Sequence, residues 1–247
     1  MHIKKHLGFS ALRRTLSERW REIEDNRQSG KVRHSLHDCF MSGFAMMYFQ
    51  DPSLLQFQKR LEDAAHQNNL KNLFQVESIP RDTQMRDVID EIDSQELEPL
   101  FEDLFRALQR GKHLESYRFL GDYYLISMDG SGYFSSDNIR CPGCLWKESK
   151  KGAVRYEHQI VQAALMRPGR REVIPLAPEA IKNGDGKEKQ DCEIEAGKRL
   201  IKKIRRAHPK LKAIIVADNL HSKQPFIEDL NRERMSYILV AKPEDHK

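Results

Sequence analysis

The sequence contains no apolar run that approaches the roughly 18–20 residues needed to span a bilayer. The basic start, Met1 to His6, is not followed by an apolar stretch with a small-residue cleavage site, so no secretory signal is predicted. We therefore expect a cytoplasmic protein with no membrane partner. Residues 33–120 also contain no repeat and no glycine-rich phosphate loop, and no catalytic spacing is found there.

Cysteine is scarce, and its four positions, Cys39, Cys141, Cys144 and Cys192, are unevenly spaced. This spacing argues against a disulfide framework. Cys141-Pro-Gly-Cys144 has the spacing of half a zinc site, for which His158 and Cys192 are the plausible further ligands. A reduced structural turn and a redox-active pair are the alternatives to zinc.

Charge is abundant: 32% of the 247 residues are charged, and the net charge is +5. This composition favours a globular protein with extensive charged faces, and it permits a polyanionic partner such as DNA. The length allows one large domain or two smaller ones.

The first half of the chain has helical periodicity, as in the spacing of Leu12, Leu16, Trp20 and Ile23. We predict an all-helical N-terminal region over residues 1–118, with DNA binding as one interpretation of its basic residues. The other interpretation is a solvated surface. The basic residues concerned are Arg13, Arg14, Arg19, Arg21, Lys31 and Arg33.

After residue 120 the pattern changes to strands, predicted at 123–134, 154–165, 172–176, 211–219 and 236–241. Helices precede the last two strands, which favours parallel pairing of these two beside an antiparallel meander. The predicted fold class is α/β: a mixed, incomplete five-stranded RNase H-like sheet over residues 119–247. In that topology the first and fourth strands are neighbours.

Two carboxylates interrupt apolar strands, Asp129 in the first and Asp218 at the end of the fourth. If these strands are adjacent, the two acids lie side by side and need a compensating charge. Mg²⁺ binds such carboxylates together with water and phosphate oxygens, and metal pairs cleave phosphodiesters. The alternative is structural, with Asp129 opening a turn and Asp218 capping a strand end. His158 either reaches this pair or is an ordinary sheet histidine.

The helix predicted from Cys192 to about His208 is strongly cationic on one face. Its first-turn acids, Asp191 and Glu193, are explained by capping and by the helix dipole. The basic face is either solvated or follows a DNA backbone. Its residues are Lys198, Arg199, Lys202, Lys203, Arg205 and Arg206.

Taken in order, several segments resemble bacterial insertion-sequence transposases of the DDE class. They are LISMDGSGYFSS, RYEHQIVQAAL, VIPLAPEAI, QDCEIEAGKRLIKKIRRAHP and IIVADNLHS, with IPRDTQMRDVID in the helical region. The resemblance implies an RNase H-like catalytic domain, Mg²⁺ or Mn²⁺, and DNA strand cleavage and transfer. It also implies double-stranded DNA partners (transposon ends and target), a homodimer and a nucleoid location. Asp129 and Asp218 match the family's first two catalytic acids.

The family's third acid is a glutamate on a helix after the fifth strand, and no such helix follows here. We therefore expect a C-terminally truncated transposase with little activity. Two alternatives are a catalytically inactive copy that only binds DNA and a non-functional remnant.

Overall fold

A computed structural model describes residues 7–183 and 191–242. The chain divides into two compact units, Met1–Ala107 and Leu108–Lys247, whereas the predicted domain boundary lay at residue 118. Among the residues described, no helix is both long enough and apolar enough to cross a membrane.

The N-terminal unit is helical, as predicted. Ser35 and Ser53 cap their helices by accepting hydrogen bonds from the backbone N–H groups of Asp38 and Gln56. The helices are α1 (Phe9–Glu22), α2 (Leu36–Tyr48), α3 (Leu54–Arg60), α4 (Ala64–Phe74), α5 (Asp82–Asp90) and α6 (Glu98–Arg110).

Helix α2 lies at the centre of this unit's core, where Met41 and Ala45 are fully buried. Phe40 stacks on Trp20 of α1, with ring centroids 5.7 Å apart. At the C-terminal end of α2, Met47 and Tyr48 are exposed, so the helix is amphipathic and only part of its apolar sequence lies in the core.

The C-terminal unit contains a mixed sheet. Its strands are β1 (Arg118–Phe119), β2 (Tyr123–Ser136), β3 (Leu145–Glu148), β4 (Val154–Met166), β5 (Ile174–Pro175), β6 (Glu179–Ile181), β7 (Ala213–Ala217) and β8 (Ser236–Leu239). The strand order is β3-β4-β2-β7-β8; β1 pairs with β2, and β5 and β6 pair with β4. Two helices, α7 (Glu193–Ala207) and α8 (Gln224–Arg232), precede β7 and β8.

The predicted pairings are confirmed: β2 and β4 are antiparallel, and the pairs β2–β7 and β7–β8 are parallel. Two details of the prediction are wrong. Residues 135–152, where no strand was predicted, contain β3, an edge strand whose charged Lys147 and Glu148 masked its pattern. The third predicted strand shrinks to Ile174–Pro175, because Pro175 has no N–H with which to extend the ladder.

The parallel pairing of β2 and β7 requires a long crossover, and α7 supplies it. The helix buries the apolar stripe formed by Leu200, Ile201 and Ile204. Its first residue, Glu193, thereby comes to lie over the middle of β2, against Gly130. The fold thus brings the N-terminus of α7 to the position where the two aspartates were predicted.

Candidate functional site

The parallel register of β2 and β7 places Asp129 beside Asp218. Ser127 is opposite Val216, and each aspartate follows two residues later on its own chain. Asp129 lies inside β2, and Asp218 follows the last residue of β7; both are exposed. The structure therefore brings together the two acids that the sequence singled out.

Asp218 is held by the turn that follows β7. Its Oδ1 accepts hydrogen bonds from the Leu220 backbone N–H at 3.0 Å and from His221 Nδ1 at 3.1 Å. Because an ionised carboxylate only accepts hydrogen bonds, this contact assigns the proton to Nδ1. The Asp218 side chain still has 53% of its area exposed, so it remains accessible to a ligand.

Glu193 is a third carboxylate at this position. A Cβ atom added to Gly130 would lie 2.3 Å from Glu193 Oε2, so only glycine at 130 allows the carboxylate to approach the strand. Glu193, Asp218 and His221 each offer a ligand atom, and these atoms lie within 4.8 Å of one another. Asp129 does not fall within that limit, but it directly precedes Gly130.

The charges of the three acids interact. Burial raises the pKa of Glu193 above its ordinary value, and the negative charges of Asp218 and Asp129 raise it further. His221 and the Gly130 backbone act in the opposite direction and lower the pKa of Glu193. Within the described ranges 7–183 and 191–242, no lysine or arginine forms an ion pair with any of the three acids. The cluster is therefore a site of concentrated negative charge.

His221 is fully buried beneath this cluster. Among the described residues its Nε2 has no hydrogen-bond partner, and it lies 4.0 Å from Glu193 Oε1. Gly197 of α7 makes room for the ring, since a Cβ there would lie 3.1 Å from Nε2. A glycine inside a helix costs roughly 1 kcal/mol relative to alanine, and its use here leaves room for the His221 ring that contacts Asp218.

Sequence reasoning missed Glu193 and His221. Glu193 was explained by the dipole of α7, which also favours an acid in the first turn. The available signal was the Asp129-Gly130 pair, because a glycine inside a strand often marks a close approach by another group. His221 gave no signal of its own, since its contact with Asp218 depends on the turn after β7.

His158 does not reach the acids. It pairs with Phe134 on β2, whereas Asp129 pairs with Gln162, four residues further along β4. Its Nε2 lies 3.3 Å from the sulfurs of both Cys141 and Cys144. Cys192 is not part of that group; it precedes the first residue of α7.

Most of the predicted basic face of α7 is engaged within the protein. Arg199 pairs with Glu179 at 2.7 Å and with Asp191 at 2.6 Å, and Lys203 also pairs with Glu179 at 2.7 Å. Lys198 pairs with Glu195 at 2.7 Å. Lys202 and Arg206 are exposed and, among the residues described, form no ion pair or hydrogen bond with a partner. The surface available to a polyanion is therefore narrower than the sequence suggested.

The basic residues of the helical unit also fall into two groups, those with a partner inside the protein and those that are exposed. Arg13 donates to the Leu73 carbonyl at 3.2 Å, Arg14 pairs with Glu18 at 3.8 Å, and Arg19 pairs with Asp103 and Glu22. The remaining three are exposed: Arg21, Lys31 and Arg33.

Arg205 has a structural role. Its guanidinium donates to the carbonyls of Glu233, Leu211 and Arg234 at 2.8, 3.0 and 3.2 Å, and so fixes the loops before β7 and β8. Arg205→Ala is expected to lower the free energy of unfolding by about 2 kcal/mol, because charge-assisted hydrogen bonds to backbone are lost. Urea denaturation followed by circular dichroism measures this loss. Arg206→Ala, its exposed neighbour, is expected to change stability by less than about 0.5 kcal/mol; equal losses in the two variants would refute the assignment.

Residues 17–105, roughly a third of the chain, match the family model described as DDE_Tnp_1-associated. This match lies in the helical unit and supports the predicted resemblance to DDE transposases. No curated protein matches the chain.

Solved structures of transposases overlay weakly on the chain. A piggyBac transposase synaptic complex with hairpin DNA is 15% identical with a TM-score of 0.41, covering 93% of this chain and 48% of that one. The Mos1 mariner paired-end complex with Mn is 14% identical with a TM-score of 0.25, covering 95% and 73%. The chain thus spans about half the length of the piggyBac protein. TM-scores this low do not establish a shared fold.

Proposed function

We propose that this chain carries the catalytic unit of a DDE-type transposase, with an RNase H-like sheet that supports metal-dependent cleavage of DNA strands. The observation that carries the proposal is the meeting of Asp129, Asp218 and Glu193 at the junction of β2, β7 and α7. The family match in the helical unit supports the same function independently.

The residues present fit a divalent metal. Carboxylate oxygens are the ligands preferred by Mg²⁺ and Mn²⁺. The three acids have no described lysine or arginine partner, so a bound cation would relieve their mutual repulsion. Asp129, Asp218 and Glu193 would hold the metal. When bound, a divalent ion activates a water or hydroxyl nucleophile and stabilises the leaving oxygen.

The protein's own contribution is positioning. Two hydrogen bonds fix Asp218 Oδ1, one from the backbone and one from His221. The buried His221 ring lies against Gly197 and Phe226. The centroids of the His221 and Phe226 rings are 5.0 Å apart. We propose that His221 acts as a positioning residue that sets the orientation of Asp218. Glu193 takes the place of the third acid that the sequence resemblance locates elsewhere.

Cleavage of DNA that carries the ends of the element encoding this chain tests the function. In Mn²⁺ or Mg²⁺ the full chain is expected to nick strands at the element ends, and EDTA is expected to abolish nicking. Binding to end DNA without cleavage in either metal would favour the alternative function, a DNA-binding protein without catalysis. Neither binding nor cleavage would contradict both.

The DNA contact is proposed to include Lys202 and Arg206, which are exposed and have no described partner. Replacing both with glutamate is expected to weaken DNA binding at least tenfold and to lower the slope of log K against log salt by about 2. Fluorescence anisotropy at several salt concentrations measures both quantities.

A matched control makes the same change of charge at two exposed lysines of the helical unit. Lys59 and Lys71 are exposed on α3 and α4, and replacing both with glutamate is expected to weaken binding only slightly. If the two double variants lose the same affinity, net charge alone explains the effect and the proposed contact is wrong.

A further inference from the structure

A second cluster of metal-binding side chains lies outside the acidic site. The sulfurs of Cys141 and Cys144 are 3.7 Å apart, and each lies 3.3 Å from His158 Nε2. All three cysteine and histidine ligand atoms fall within 4.8 Å of one another. The spacing is far longer than the roughly 2.05 Å of a disulfide bond, and both cysteines are free.

These separations lie within about 0.3 Å of the edges of a zinc coordination tetrahedron. With Zn–S near 2.3 Å and Zn–N near 2.0–2.1 Å, tetrahedral angles give about 3.8 Å between sulfurs and about 3.6 Å between sulfur and nitrogen. We propose that Cys141, Cys144 and His158 bind a zinc ion. This inference does not depend on the proposed transposase function, because no residue is shared with the acidic cluster.

The backbone already has the shape that such a site requires. Cys144 N–H donates to the Cys141 carbonyl at 3.1 Å, which closes a turn, and Cys141 N–H points at Cys144 Sγ at 3.2 Å. The turn thus already places both sulfurs beside His158 Nε2.

The third ligand comes from the sheet. His158 lies on β4, and its ring stacks on Tyr133 of β2 with centroids 5.8 Å apart and planes at 19°. Phe134 contacts the same ring at 5.6 Å. These two aromatic side chains fix the orientation of the imidazole, and Nε2 faces both sulfurs.

Binding balances charge and protons. Zn²⁺ displaces one proton from each cysteine thiol and takes the neutral imidazole through Nε2, so two thiolates neutralise the ion. Three protein ligands leave one coordination position, which water can fill. The ion would connect two parts of the chain: the segment between β2 and β3, and strand β4. It would thereby fix the C-terminal end of β2, the strand that carries Asp129.

Metal analysis of the purified protein tests the proposal. We expect about one zinc per chain by native mass spectrometry, with loss of that zinc in Cys144→Ser and in His158→Asn. Cys39→Ala, which removes a buried cysteine of α2, is expected to retain zinc, and so is Glu193→Gln. Retention in Glu193→Gln separates this site from the acidic cluster. Folded, reduced protein that neither contains zinc nor takes up one equivalent would overturn the proposal.

Cobalt substitution and proteolysis give further readouts should a cysteine variant fail to fold. Co²⁺ at this site is expected to show thiolate charge-transfer absorption, which carboxylate ligands do not produce. Chelation is expected to speed tryptic cleavage after the exposed Arg140, next to Cys141. Absence of both changes in the wild-type chain would contradict zinc binding by these residues.

Discussion

Replacement of Asp129 or Asp218 by asparagine is expected to reduce Mn²⁺-dependent cleavage of element-end DNA at least ~100-fold, the scale on which single electrostatic groups act in active sites. Asparagine keeps the size of the side chain and removes the charge that would hold the metal. At Asp218 the asparagine oxygen can still accept from His221 Nδ1, but the hydrogen bond is no longer charge-assisted and is weaker.

DNA affinity separates this effect from misfolding. Because each substitution removes a negative charge near the DNA, binding in EDTA is expected to stay the same or to become tighter. Loss of binding together with loss of cleavage would indicate a damaged fold instead.

Asp137→Asn is the matched control. Asp137 is an exposed aspartate just after β2, and its only described ion pair is a long one with Arg155, at 3.8 Å. Its replacement is expected to leave cleavage within about twofold of wild type. Cleavage that survives in Asp129→Asn or Asp218→Asn would contradict the assignment of these acids.

Glu193→Gln is expected to have nearly as large an effect, although the sequence alone assigned no catalytic role to this residue. The substitution removes the charge of the proposed third ligand. Glutamine has nearly the same size as glutamate, so the side chain still fits against Gly130. Loss of a metal ligand is expected to weaken Mn²⁺ binding at least as much as loss of a group that only orients a ligand. Such groups contribute roughly 10–100-fold to metal affinity. Isothermal titration with Mn²⁺ measures this change.

Thermal stability provides a second test of the role of Glu193. In EDTA, Glu193→Gln is expected to raise the thermal midpoint, because it removes a partly buried charge that Asp218 and Asp129 repel. In saturating Mn²⁺ the wild type is expected to gain about 2.7 kcal/mol at 100 times the Kd, and the variant much less. A purely structural role in capping α7 predicts the opposite sign in EDTA.

Two further variants test the geometry. Gly130→Ala keeps every charge, but its Cβ would displace the Glu193 carboxylate, so Mn²⁺ affinity is expected to fall with little loss of stability. Glu195→Gln changes an exposed glutamate two residues after Glu193, on a different face of α7, and is expected to leave Mn²⁺ affinity unchanged. Equal affinities in wild type and Glu193→Gln would show that Glu193 is not a ligand.

The sheet was largely predictable because its strands carry strong local patterns. The strands β2 and β4 are long, at 14 and 13 residues, β7 is an uninterrupted apolar run, and the helix before β7 favours a parallel crossover. Together with the RNase H-like topology that this strand order indicates, these features predict Asp129 beside Asp218. The edge strand β3 was missed because it is short and charged, as edge strands often are.

The rest of the candidate site depends on packing that no local pattern encodes. The position of Glu193 follows from the seating of α7 on the sheet, and that of His221 follows from the turn after β7. The same limitation applies to the basic face of α7. Whether an arginine is free or paired depends on distant partners, such as Glu179 for Arg199.

The most direct measurement of the central claim is the anomalous scattering of Mn²⁺ soaked into crystals of the full chain. A peak is expected within about 2.0–2.3 Å of carboxylate oxygens from Asp129, Asp218 and Glu193. This peak is expected to disappear in Asp218→Asn crystals soaked in the same way. A wild-type crystal in saturating Mn²⁺ with no peak at these three acids would contradict it.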